Sequence, residues 1–219
     1  MPARNVRRSI TGSVRVLDPA ESRIVLEERN LVLQSADAFR AASRPFCEKV
    51  AKLRISEAVE EGRRDLGGMI ASATNLAFAV ELYMKALRIV NKQGPKWTHN
   101  LGKLYSDLPE KLRRSIEVTY EAAPKPDVSL YATSLGISIT HKDASAEERA
   151  TIPRGPSDES ILAVLERSSA VFENWRYLYD QGEPGRVKRL PFEYHYLGIA
   201  ADALREHVVR GLREEVVAK

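Results

Sequence analysis

Three features of the sequence predict a mainly α protein: an up-and-down helical bundle with a small N-terminal β-hairpin. Apolar residues recur at spacings of three and four over residues 69–92, 157–179 and 191–216, the period of a helix that buries one face. Clusters of Gly and Pro separate those stretches. Short β-branched runs of the kind that form strands gather only near the start. With 219 residues, of which 43% are hydrophobic and 29% charged, the chain can bury a core without disulfides or metal. Two units are expected: residues 1–44, holding the hairpin and a short helix, and residues 45–219, a bundle interrupted by a loop at 122–156.

Residues 9–33 read as the hairpin. Val14, Val16 and Leu17 form one strand, and Ile24, Val25 and Leu26 form the other. Between them Asp18 and Pro19 are turn formers, because proline pre-sets φ and aspartate bonds its own backbone. Ser35 then caps a short helix ending before Pro45, and Pro45 opens a helix over 46–61 with Phe46, Val50, Leu53 and Ala58 on one face. Gly62, Gly67 and Gly68 point to a kink or break, a single long helix to residue 92 being the alternative. The clearest stripe follows: Leu76, Val80, Tyr83, Leu87 and Val90. Gly94 and Pro95 end it. Thr98 is placed as the cap of a short helix, and Asp107 and Glu110 as a capping box for the next. Four prolines and small residues mark 122–156 as a surface loop with at most one strand, over 135–139. Ser157 caps a helix with the stripe Ile161, Leu165, Ser168, Phe172, Trp175 and Tyr179. A last helix starts near Pro191 and runs through Leu197, Leu204 and Val216.

Charge narrows the function little. The net charge is +4, yet acids and bases alternate, as in Glu60-Glu61-Gly62-Arg63-Arg64 and Arg213-Glu214-Glu215, which favours a mixed-sign surface over a one-signed nucleic-acid footprint. The locally basic patches are the N-terminal arm and residues 186–189. No apolar run approaches the ~20 residues that span a bilayer, so no membrane partner is expected. No apolar stretch of signal-peptide length follows Arg4, Arg7 and Arg8, and the single Cys47 fits a reducing compartment, so a cytoplasmic location is expected. The phosphate-loop, dinucleotide, zinc-protease and hydrolase-elbow patterns are absent. The four histidines, at 99, 141, 195 and 207, are scattered, so neither a metal nor a cofactor is expected.

Residues 72–87 (SATNLAFAVELYMKAL), followed by a Gly-Pro break and then His99-Asn100-Leu101 and Leu104, resemble the HEPN superfamily, helical bundles of prokaryotic toxin–antitoxin and phage-defence systems. Residues 172–179 (FENWRYLY) resemble the Arg-Tyr segment found downstream in many members. The likeness covers roughly residues 65–120 and 157–217. It implies a binding or polar cluster of Glu81, Lys85, His99, Arg176 and Tyr177, with RNA or a nucleotide, a second copy of the chain, or an antitoxin or other protein as partner. On the residues alone, Glu81 and Lys85 stand one turn apart and can pair, so a structural ion-pair cluster fixing helix register is the favoured reading. Many members are metal-independent ribonucleases marked by Arg, four to six residues, then His. Residues 189–195 (RLPFEYH) fit that spacing, with Arg189 holding the phosphate and His195 moving the proton. Tyr194 and Tyr196 would then stack bases or, alternatively, belong to a packing cluster. A third reading is a non-catalytic dimerisation or adaptor module whose hairpin recruits a protein by strand addition.

Overall fold

The computed structural model describes residues 19–94, 96–125, 127, 130, 132–139, 158–171 and 188–217. They form seven helices and one two-stranded antiparallel sheet: α1 (Pro19–Val50), α2 (Ile55–Arg64), α3 (Leu66–Val90), α4 (Leu101–Ser106), α5 (Glu110–Ala122), β1 (Leu135–Ile139), α6 (Ile161–Arg167), β2 (Lys188–Phe192) and α7 (Tyr194–Val217). Among these residues no helix is long and apolar enough to cross a membrane.

The fold is organised around α3. Its buried residues include Leu76, Ala77, Ala79, Val80, Tyr83, Met84 and Leu87, which cover a broad arc of roughly half its circumference. A buried arc that wide has to be covered from more than one side. α1 and α7 pack on it from two sides, and α4 with α6 closes another. Small residues set the approach distances. A Cβ on Gly211 of α7 would fall 2.5 Å from Val90 Cγ1 at the end of α3, and one on Gly102 of α4 would fall 3.3 Å from the Cα of Glu166 on α6. Ile116 and Tyr120 of α5 complete the core.

The N-terminal hairpin is corrected. Residues 19–33 belong to the long helix α1, and the sheet lies instead between residues 135 and 192. Residues 9–18, the other half of the expected hairpin, lie outside the described residues. The signals were ambiguous in a specific way. Proline's fixed φ suits a turn, but it suits the first residue of a helix equally well, and Pro19 is that residue. Val32, Leu33, Ala36, Phe39, Ser43, Phe46, Cys47 and Val50 then keep the spacing of one helical face against the core. Once that face docks, the helix extends cheaply toward its N-terminus, because elongation costs far less than nucleation. Strand addition by residues 19–33 goes with the hairpin. α1 also passes through Pro45 without ending. A proline inside a helix costs ~3 kcal/mol, and the burial of Phe46, Cys47 and Val50 just beyond it offsets that loss.

The glycine-rich stretch does break the chain, at Asp65. Its carboxylate accepts from the Gly68 amide at 2.8 Å and caps α3. A Cβ on Gly68 would sit 2.2 Å from Asp65 Oδ2, so the cap needs glycine there. Three other expected caps shift by a few residues. Lys92, with φ 57°, takes the left-handed position after α3, ahead of Gly94. Asn100, rather than Thr98, caps α4 by accepting from the Lys103 amide at 2.8 Å. Asp107 closes α4 and pairs with Lys96, so the box with Glu110 does not form; Pro109 precedes α5. Ser160 caps α6, accepting from the Ala163 amide; Ser157 lies outside the described residues.

The strand expected at 135–139 is present as β1. It pairs with β2 in the register Leu135↔Phe192 to Ile139↔Lys188. Pro191, expected to open the last helix, is therefore a strand residue, and α7 begins at Tyr194. A two-stranded ribbon has only edge strands, where a residue without an N–H is tolerated. Phe192 and Leu135 are buried at the end of the ribbon nearest the bundle. Glu193, buried in the turn into α7, accepts from Arg167 Nε at 2.6 Å and Nη2 at 3.0 Å, which ties α6 to the ribbon.

Candidate functional site

Three of the five residues in the expected polar cluster come together. Glu81 projects from α3 and is 1% exposed. Lys85, one turn on, places Nζ 2.6 Å from Glu81 Oε1. His99, just before α4, places Nδ1 2.9 Å from Oε2 and 3.1 Å from Oε1 of the same carboxylate. The buried anion is thus satisfied from both sides by groups that themselves keep contact with water. Its net effect is to pin the α3–α4 connection onto α3. Arg176 and Tyr177 lie outside the described residues.

The opposite side of α3 carries different chemistry. The Tyr83 hydroxyl donates to Asp37 Oδ1 of α1 at 2.6 Å. Arg205 of α7 grips the same carboxylate with Nε at 2.7 Å and Nη2 at 2.9 Å. Burial pushes the Asp37 pKa up, but the Arg205 guanidinium and the Tyr83 hydroxyl outweigh it and hold the carboxyl below its ordinary value. One helical turn along, Arg40 of α1 donates to Asp202 of α7 at 3.1 Å and to the Gly198 carbonyl. These pairs floor a groove of about 790 Å³ between α1 and α7. Five arginines line it: Arg40, Arg44, Arg205, Arg210 and Arg213. Arg210 is paired with Glu206. Arg44 and Arg213 are exposed and, among the described residues, form no ion pair. An unpaired guanidinium offers a planar fork that fits phosphate oxygens in a bidentate manner.

The sequence hid this groove. Arg40 and Arg44 stand four residues apart, as do Arg205 and Val209, then Val209 and Arg213, so each set shares a helical face. Asp202, Glu206 and Glu214 intervene in the sequence and give a mixed-sign reading. Only the antiparallel packing of α1 on α7 pairs most of the acids with particular arginines and leaves two arginines over.

The expected catalytic pair fares unevenly. Arg189 sits in β2 opposite Ser138, and its side chain is not among those described. His195, in the first turn of α7, is half-buried. Its ring stands edge-on to Tyr196, with centroids 5.8 Å apart. It opens on a smaller hollow of about 180 Å³ that shares Arg40 and Arg44 with the main groove. His195 Nε2 is buried without a hydrogen-bond partner, and burial lowers the ring's pKa. Tyr194 and Tyr196 take the packing role. Both are buried, and their hydroxyls donate to the Ala132 carbonyl and to the Glu159 carboxylate, so neither face is open to a base. Cys47, in the same hollow, is a buried thiol whose pKa desolvation pushes up to about 12, which makes it a poor nucleophile. Among the described residues no three His, Cys, Asp or Glu side chains converge to hold a metal.

The geometry defines a mainly helical bundle with an arginine-lined groove beside its central helix. Set against known proteins, the chain matches no family model, no curated protein and no solved structure.

Proposed function

We propose that this bundle binds a phosphate-bearing ligand, RNA or a nucleotide, in the α1–α7 groove, in the defence or toxin–antitoxin setting that the HEPN resemblance implies. The observation that carries the reading is the pair of unmatched arginines, Arg44 and Arg213, at an open groove of about 790 Å³ whose other arginines are held in place by ion pairs. Held cations cost little further entropy on binding, and free ones supply the charge that the ligand neutralises. The test is titration of labelled RNA and of ATP at several salt concentrations, with Arg44→Glu/Arg213→Glu beside the parent. Affinity that falls with salt and drops at least tenfold in the double variant supports the reading. Equal binding by both proteins, or none at low salt, refutes it.

A metal-independent ribonuclease is the second reading. One observation favours it: His195, whose burial holds its pKa below the ordinary value, lines the hollow that carries Arg40 and Arg44. A neutral imidazole can take a proton from a 2′-hydroxyl, and an arginine can steady the phosphate. Discrete products from total RNA that vanish in His195→Ala and fade in Arg189→Ala support this reading. Identical patterns with parent and variants reject it.

A further inference from the structure

The connection between α3 and α4 holds out an indole. Trp97 is 96% exposed, the most exposed large hydrophobic side chain among the described residues. Leaving it in water forgoes about 2–3 kcal/mol of burial, so its position asks for a cause. Loose chain is not the cause, because the backbone is tied on both sides. Arg88 Nη2 donates to the Gly94 carbonyl at 3.0 Å. Lys96, the preceding residue, pairs with Asp107. The Thr98 hydroxyl accepts from the Asn100 amide at 3.2 Å, and His99 is anchored on Glu81. The connection is therefore pre-shaped, with the indole as its outermost group.

The sequence around it carries an excess of cations, two of which, Lys85 and Lys96, are matched by Glu81 and Asp107 at the edges of the stretch. Residues 82–106 contain Lys85, Arg88, Lys92, Lys96 and Lys103 and no acid, the longest acid-free stretch of the sequence. Lys92 and Lys103 are exposed and, among the described residues, form no ion pair. Desolvation, aided by the charges of Lys103 and Arg88, holds the Lys96 pKa below the ordinary lysine value. Fixed aromatic faces flanked by cations take single-stranded nucleic acid: the ring stacks on an unpaired base, and the cations follow the phosphates. A duplex hides its base faces and cannot use the ring.

We infer that Trp97, with Lys92 and Lys103, is a stacking site for an unpaired base of single-stranded nucleic acid. It deepens the groove reading but occupies a different surface, so the two can fail separately. The experiment uses the full chain carrying Trp175→Phe, which leaves Trp97 as the only tryptophan. A 12-nucleotide oligoadenylate RNA, its DNA counterpart and a duplex RNA are titrated while indole emission and the polarisation of labelled oligonucleotide are followed. Both single strands should quench the emission to saturation, RNA more tightly than DNA if the 2′-hydroxyl is also read. Trp97→Ala, at a position too exposed to disturb folding, should weaken binding about tenfold in the otherwise native chain, the scale of one lost stack. Trp97→Phe should recover part of that loss, and Lys92→Glu/Lys103→Glu should flatten the salt dependence. Equal affinity in parent and Trp97→Ala overturns the inference, as does equal quenching by duplex, or a Trp97→Ala effect on oligomeric mass without one on affinity. A loss with Trp97→Ala but none with Arg44→Glu/Arg213→Glu keeps this site and removes the groove; the reverse keeps the groove and removes this site.

Discussion

Glu81 and Tyr83 leave α3 two residues apart, about 200° around its axis, and they enter two different kinds of polar site. On the Glu81 side the partners are close in sequence, four residues away at Lys85 and eighteen at His99. The carboxylate is sealed and its charge is met. On the Tyr83 side the links are long-range, joining Asp37 to Arg205 and Arg40 to Asp202 across more than 160 residues. That network is open to water and leaves Arg44 and Arg213 over. Similar carboxylates and cations thus form a closed cluster in one place and an open, partly unmatched network in the other. What separates the roles is whether the surroundings close each charge or leave some unmatched.

Breaking the sealed site should have the largest effect on folding. Glu81→Ala removes the acceptor shared by Lys85 and His99, and we expect a loss of about 2–3 kcal/mol in urea unfolding, with the α1–α7 groove left intact. A loss below 0.5 kcal/mol would mean that the partly exposed Lys85 and His99 recover all their energy from water. The open site should behave in the opposite way. Arg44→Glu/Arg213→Glu should leave the unfolding free energy within about 0.5 kcal/mol of the parent while RNA affinity falls at least tenfold. If stability falls along with affinity, the groove is a structural seam like the Glu81 cluster.

Tyr83→Phe sharpens the contrast at one atom. It deletes the hydroxyl that donates to Asp37 but leaves the Arg205 fork, so about 1 kcal/mol should be lost. The same Asp37 sets a low-pH signature. Its folded pKa lies below the ordinary value, so its contribution is complete above about pH 4 and disappears as pH drops through the folded value. The smallest effect belongs to His207 on α7, whose Nε2 meets Thr119 Oγ1 of α5 at 3.1 Å. Burial and neighbouring Arg210 lower its pKa against the pull of Glu206. Below about pH 6.5 the unfolded chain therefore binds a proton that the folded chain resists. Stability should decline from pH 7.5 to 5.5, and His207→Gln should remove part of that slope in thermal melts, His195 accounting for another part in the same direction.

The likeness that singled out Glu81, Lys85 and His99 picked residues that do meet, and the four-residue spacing of the first two already allowed it. The Trp97 surface also had a signal, the absence of any acid over residues 82–106, which attention to interleaved charges elsewhere obscured. The arginine groove had no comparable signal. Its two halves are separated by most of the chain.

Local pattern alone determined that α3 is a helix with a continuous apolar stripe, favoured a break at the glycines before it, and allowed one strand at residues 135–139. These follow from periodicity and backbone chemistry, which act over a few residues. Tertiary packing decided the rest. Residues 19–33 could be strand or helix by propensity, and docking of the following apolar face on α3 made them helix. Pro191 could open a helix or lie in a ribbon, and pairing with β1 made it a strand residue. Which arginines remain unmatched depended on the antiparallel seating of α1 against α7, because a charge is satisfied by whatever lies near it in space, and sequence neighbours of either sign reveal little about that.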